Sequence, residues 1–200
     1  MINHKPLVFL DIETTGGSAK TSRITEIGAI RVEAGRVVRT YNQLVNPEEP
    51  VPYYITNITG ITDGMVWNAP TFQTIAGELQ RFLSDAIFIA HNVSFDYSFI
   101  KAEFERAGTM FDMDRLCTVR LSRLLYPEYK SHALDRLIER LAIDVTNRHR
   151  AYDDAEVLYK FFMNEYGRHD MELFRHIDKL LVRPKVVRGQ QATIPLPVFE

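Results

Sequence analysis

Apolar residues open the chain as a run rather than an alternation: "PLVFLDI", residues 6–12, reads as a strand buried on both faces. Two further strand-like runs follow, "ITEIGAIRVEAG" and "RVVRTYNQLVNP", joined at Ala34-Gly35 as a short hairpin turn would be, so the chain starts antiparallel. The stretch "NPEEPVPYYITNITGITDGMVWNAP" carries four prolines among many Asn, Thr and Gly residues and reads as a long ordered loop. Helical spacing returns in "TFQTIAGELQRFLSDA"; "IFIAH" is a short apolar strand, and "SFDYSFIKAEFERAG" is a helix that stops at Gly108. After a strand around "MDRLCTV" come the helical patterns "VRLSRLLY", "HALDRLIERLAI" and "AYDDAEVLYKFFMNEY", with "MELFRHIDKLLV" as a last one. An antiparallel opening followed by strand–helix crossovers predicts an α/β fold, a mixed sheet flanked by helices, over residues 1–182. From Arg183 the chain turns to "RPKVVRGQQATIPLPVFE", without periodicity, and reads as a tail or linker.

Composition narrows the partners without naming them. At 46% hydrophobic and 25% charged, 200 residues make one globular domain with an ample core, and a net charge of −2 excludes a generally basic nucleic-acid coat. A positive groove remains compatible with that total. The single cysteine, Cys117, cannot form an internal disulfide, and neither a signal peptide nor an apolar run of membrane-spanning length is visible. The expectation is a reducing cytoplasm and no membrane partner.

The candidate chemistry begins where the first strand ends. Alternate strand residues share a face, so Asp11 and Glu13 point the same way about 6.5 Å apart. Such a pair is either a solvated strand end or half of a cation site, because like charges in a desolvated place need a compensating cation or proton. Turning the helix around Asp96 by about 100° per residue puts Phe99, Ile100 and Glu103 near it, so Asp96 lies on or beside the apolar face. An acid there is also what a helix N-terminus favours electrostatically. In "HRAYDDAEVLYKFF" the same turning places Asp154 beside Leu158 on the apolar face and Asp153 on the opposite side, toward water. His149 lies in the loop leading into that helix. Four inward carboxylates and one imidazole, with no grouped cysteines, suit a hard divalent cation, magnesium or manganese. Two such ions held together can drive in-line displacement at phosphorus, so phosphodiester hydrolysis is the implied reaction.

Taken together, "FLDIETTGG", "IAHNVSFDYSFI" and "HRAYDDA" resemble, in order and spacing, the three motifs of the DEDDh (DnaQ-like) 3′-to-5′ exonucleases, over residues 6–165. The resemblance implies a ribonuclease H-like fold, a mixed five-stranded sheet with helices on both faces. It implies that Asp11, Glu13, Asp96 and Asp154 hold two Mg²⁺ or Mn²⁺ ions, Asp11 between them. It makes His149 the general base, a role that suits an unperturbed imidazole pKa of about 6.5. Thr14, Thr15, Gly16, Asn92 and Phe95 occupy positions where the family contacts the terminal nucleotide. The resemblance implies a nucleoside 5′-monophosphate as the product.

Longer stretches around "ITGITDGMVWNAPTF" and "SHALDRLIERLAI" resemble the polymerase III epsilon-subunit and proofreading branch, which favours DNA, single-stranded at its 3′ end, over RNA. Oligoribonuclease-like and RNase T-like relatives use the same acids on RNA ends, and a catalytically silent nucleic-acid-binding module is the remaining alternative. Arg120, Arg123, Lys130, Arg136, Arg140, Arg148 and Arg150 form a basic cluster that either meets phosphates or covers solvated helix faces. Tyr53, Tyr54 and Trp67 either stack on bases or anchor the loop to the core. The ending "QQATIPLPVF" loosely resembles clamp-binding peptides and otherwise reads as a frayed linker, leaving a replicative polymerase or a sliding clamp as the expected protein partner.

Overall fold

The computed structural model describes residues 5–184, and the tail expected from Arg183 lies, but for its first two residues, outside them. In chain order the elements are β1 (Leu7–Thr14), β2 (Ile24–Glu33), β3 (Arg36–Leu44), α1 (Tyr53–Thr59), α2 (Asp63–Val66) and α3 (Phe72–Leu83). They continue with β4 (Ile87–Ala90), α4 (Ser94–Arg106), β5 (Arg115–Cys117), α5 (Thr118–Leu125), α6 (Leu134–Leu141) and α7 (Ala151–Leu180). The five strands form one sheet in the order β3-β2-β1-β4-β5. β1, β2 and β3 pair antiparallel through the hairpin at Ala34-Gly35, whereas β4 joins β1, and β5 joins β4, in parallel.

The run of apolar residues in β1 is explained by cover on both faces. Val8, Leu10 and Ile12 pack with Phe72, Leu79 and Phe82 of α3 and Phe99 and Phe104 of α4. Phe9 faces the other way, with Ile87 and Ile89 of β4, into a layer built by α5, α6 and α7 through Leu121, Leu137, Leu158 and Phe162. The odd-numbered face of β1, which ends in Asp11 and Glu13, is therefore the face that α7 covers. That parity brings residues 154 and 11 together.

Two expectations need correction. The segment read as a loop contains α1 and α2, which close over a small core of Val51, Ile61 and Val66. Pro52 stands at the N-cap of α1, and Gly60 ends it in the left-handed region at φ 72°. The two helical patterns expected at the C-terminus are one helix: α7 runs 30 residues, about 45 Å, straight through Gly167.

Gly28 sets how closely α7 approaches the sheet. It pairs with Asp11 across β1 and β2, and a Cβ there would overlap the backbone of Ala151 and Tyr152. The start of α7 thus lies backbone-on-backbone over the strand residue next to Asp11. Gly28→Ala is expected to cost about 3 kcal/mol or more of unfolding free energy in urea, the upper end of overpacking, because backbone cannot yield as a side chain does. A change below about 0.5 kcal/mol would contradict this close approach.

Candidate active site

Each acid reaches the same place by a different local rule. Asp11 and Glu13 share the α7 face of β1, and the register of the β1–β2 pair shifts between Glu13 and Thr14, where β1 ends. Asp96 sits in the first turn of α4, which leaves the C-terminal end of the neighbouring parallel strand β4, and its carboxylate interacts with the backbone N–H of Ile12, between the two β1 acids. Asp154 lies in the first turn of α7, one turn in from the residues seated on Gly28, and is only 4% exposed. Its neighbour Asp153 is more open to solvent, as the helical phase requires. His149, exposed and with a left-handed φ of 62°, hangs from the loop before α7. Glu13, Asp154 and His149 offer ligand atoms that all lie within 4.8 Å of one another.

Burial and mutual repulsion dominate the electrostatics. Desolvation, then the charges of Asp96, Asp154 and Glu13, push the Asp11 carboxyl well above the usual carboxylate range. Glu13 is pushed up to about 8, by burial and then by Asp154, Glu26 and Asp96. Asp96 is raised to about 8 by burial, despite the backbone N–H groups it accepts. Asp154 is raised by desolvation against the opposing pull of Arg148. Carboxylates so placed are either protonated or held by a cation, and an all-oxygen donor set with one imidazole is what Mg²⁺-type ions take. Arg148 already shows the demand for positive charge: it donates to Asp154 and, at 2.8 Å, to Asp135.

Arg148 and Arg150 thus differ from the other members of the basic cluster, for both turn inward. Arg150 grips Glu26, which is 1% exposed, through Nε and a second guanidinium nitrogen, and the other side of Glu26 accepts the Ala151 N–H at 3.0 Å. Glu26 stands opposite Glu13 in the β1–β2 register. It therefore satisfies a free N–H at the start of α7 from the neighbouring strand while Arg150 cancels its charge. The sequence hint was the pair of arginines flanking His149; the partner is 124 residues away. Arg136, by contrast, pairs with Glu139 on the surface, and Arg140 lies over the Tyr129 ring.

Around the acids, the Thr14 hydroxyl donates to the Gly16 carbonyl at 2.8 Å. Thr15 accepts from the Arg23 N–H at 2.9 Å and donates to Glu49, so both threonines brace the turn that follows β1. A Cβ on Gly16 would crowd Ser22 Oγ and meet Tyr54 Oη. Phe95, half-buried, packs at a tilt against the Phe99 ring, and Asn92 is exposed with a φ of 66°. Tyr53, Tyr54 and Trp67 do not anchor their segment to the core: they are 80%, 58% and 75% exposed.

A ribonuclease H-like sheet with four acids converging at the end of its central strand defines a metal-dependent nuclease class. The family model for RNase T-type exonucleases matches residues 8–162, and the chain belongs to that exonuclease family. It is 38% identical over 169 residues to the PolC-type DNA polymerase III of Latilactobacillus sakei, covering 82% of this chain and 12% of the polymerase. It is 37% identical over 164 residues to the 3′-5′ exonuclease DinG of Bacillus subtilis, covering 81% of this chain and 18% of DinG. The chain thus spans less than a fifth of the length of these relatives. Among solved structures, exonuclease X in complex with 5′-overhanging duplex DNA superposes with a TM-score of 0.69 at 24% identity, over 86% of this chain and 98% of that one. The nuclease domain of 3′hExo bound to rAMP, a DEDDh family member, gives 0.72 at 16% identity, over 83% and 94%.

The raised carboxyl pKa values have a thermodynamic sign. Between about pH 4, where unfolded carboxyls titrate, and about pH 8, where Glu13 and Asp96 titrate in the fold, the folded chain binds more protons. Stability of the metal-free protein must therefore fall as pH rises through that window. In chelator, the Tm measured by calorimetry is expected to be lower at about pH 8 than at about pH 5, and Asp96→Asn should narrow the difference. A Tm that rises with pH across this range, and no effect of Asp96→Asn, would count against the cluster.

Proposed function

We propose that this chain is a divalent-metal-dependent 3′-to-5′ exonuclease that hydrolyses the terminal phosphodiester of DNA and releases nucleoside 5′-monophosphates, in proofreading or repair. The observation that carries the reading is the meeting of Glu13, Asp154 and His149 within 4.8 Å, beside the repelling pair Asp11 and Asp96. Asp11, Glu13, Asp96 and Asp154 would hold two ions, Mg²⁺ or Mn²⁺. Such ions supply Lewis-acid activation of water and neutralise phosphate charge when bound. His149, open to solvent, takes the proton of the attacking water and passes it to bulk. Its loop is fixed at one end by the Arg150–Glu26 pair and the seat of α7 on Gly28, so the imidazole has a defined pivot. Thr14, Thr15 and Gly16 form the turn against which a terminal nucleotide rests, with Phe95 and Asn92 across from it.

DNA is the favoured substrate because the relatives at 37–38% identity are a DNA polymerase and a protein named as a 3′-5′ exonuclease. A replicative polymerase is the favoured partner for the same reason. Among the described residues no helix is long and apolar enough to cross a membrane.

The test is a 5′-labelled oligonucleotide incubated with Mn²⁺, run as single-stranded DNA, mismatched duplex and RNA of the same sequence. Shortening from the 3′ end is expected, fastest on single-stranded DNA. His149→Ala should lower kcat by about 100-fold or more while metal affinity is retained, because a base acts in the transition state. Asp154→Asn should abolish turnover, and Asp153→Asn should change it by less than about threefold. Intact DNA, or equal losses at 153 and 154, would overturn the reading; faster cleavage of RNA would move it to RNA ends.

A further inference from the structure

Beside the start of α4 lies a cavity of about 430 Å³, walled by Arg115, Arg120 and Arg123 from β5 and α5, by Asn92 from the approach to α4 and by Ser94, its first residue. No carboxylate lines it. Elsewhere in the fold the arginines that approach the sheet are met by acids: Arg23 by Glu48 and Glu103, Arg31 by Glu33, Arg148 by Asp135 and Asp154, Arg150 by Glu26. Here that pattern stops. Arg115 has only a 3.7 Å contact with Asp112 and lies over the Tyr97 ring, while Arg120 and Arg123 are exposed and pair with no carboxylate among the described residues. Arg183, also exposed, follows Val182 at the rim. A chain of net charge −2 thus concentrates uncompensated guanidinium groups on one concave wall.

Position gives that wall a use. Ser94 lines the cavity and Asp96, two residues on, belongs to the acid cluster, so the two sites are separated by about 3 Å of helix rise and the width of one helix turn. A strand whose 3′ end lies over the acids can round the start of α4 and reach the arginines. Guanidinium forks match phosphate oxygens two at a time. We infer that Arg115, Arg120 and Arg123 form a phosphate-binding wall that grips the single strand on the 5′ side of the bond being cut. This rests on the nuclease reading given above, and it adds a sequence-independent hold on the strand that the acid pocket itself does not supply.

The experiment compares wild type with Arg120→Gln/Arg123→Gln, two exposed changes that keep polar side chains, and with Arg36→Gln/Arg39→Gln, which removes equal charge from the sheet's opposite edge, β3. Binding of a fluorescent single-stranded oligothymidylate is followed by anisotropy in Ca²⁺ over a salt series. Each phosphate contact on a single strand contributes about 0.7 to the slope of log K against log salt, so the 120/123 variant should be shallower by about 1.4. Wild type should then lose about sevenfold more affinity than this variant between about 50 and 200 mM salt, while the 36/39 variant follows wild type. In the nuclease assay, the kcat/KM advantage of a dodecamer over a dinucleotide should fall in the 120/123 variant, through KM. An unchanged slope, or an equal change in both variants, overturns the wall. If wild type cuts neither substrate, the nuclease reading fails, and the salt slopes still decide whether the arginines hold the strand.

Discussion

Mutual repulsion of carboxylates is the constraint around which this fold is organised. Asp11, Glu13, Asp96 and Asp154 are brought from a strand and two helix starts into a place where burial raises every one of their pKa values, and the charge of neighbouring carboxylates raises those of Asp11 and Glu13 further. Such a cluster opposes folding in the absence of protons or cations, so the remainder of the structure has to force it together. The two apolar layers on either face of β1 supply most of that force. The more local devices are few and specific: Gly28, which admits the backbone of α7, and Glu26, which ties down its first N–H with Arg150 at its back.

These devices also place His149, the proposed base, although it hangs from a loop. His149 is preceded by Arg148, bound to Asp154 and Asp135, and followed by Arg150, bound to Glu26. Both neighbours are tethered while the imidazole is free. Arg148 lowers the pKa of Asp11, Glu13 and Asp154, acting as an internal counter-charge to the acids. A divalent ion held in the pocket as proposed would compete with that guanidinium and so couple metal affinity to the loop's position. The other described histidines near the sheet have no such freedom: His91 spans Thr118 and the His132 carbonyl, and burial lowers its pKa to about 4.

What was legible in the sequence was whatever follows from a period. The twofold alternation of β1 predicts that Asp11 and Glu13 share a face, and the 3.6-residue turn predicts that Asp154 is buried and Asp153 more open, as the structure has them. Helices of fewer than two turns were not legible. α1 and α2, seven and four residues long, give little repeat to detect, and Pro52 and Gly60 are the caps of α1 rather than loop residues. Tyr53, Tyr54 and Trp67 stay outside because Ile55, Ile61 and Val66 take the buried positions of that segment. Nor does any local pattern show that Arg150 belongs to Glu26 or that Gly28 belongs to Ala151, since both pairings arise only when β2 and α7 meet.

The central claim is that cations are required to make this acid pocket tolerable, and calorimetric titration of Mn²⁺ near neutral pH, repeated in buffers of different ionisation enthalpy, addresses it directly. Because Glu13 and Asp96 titrate near 8, they are largely protonated at that pH, and ion binding must expel protons. The account predicts two bound ions per chain and a buffer-dependent heat that reports net proton release. Binding without proton release, or no binding at all, would contradict it.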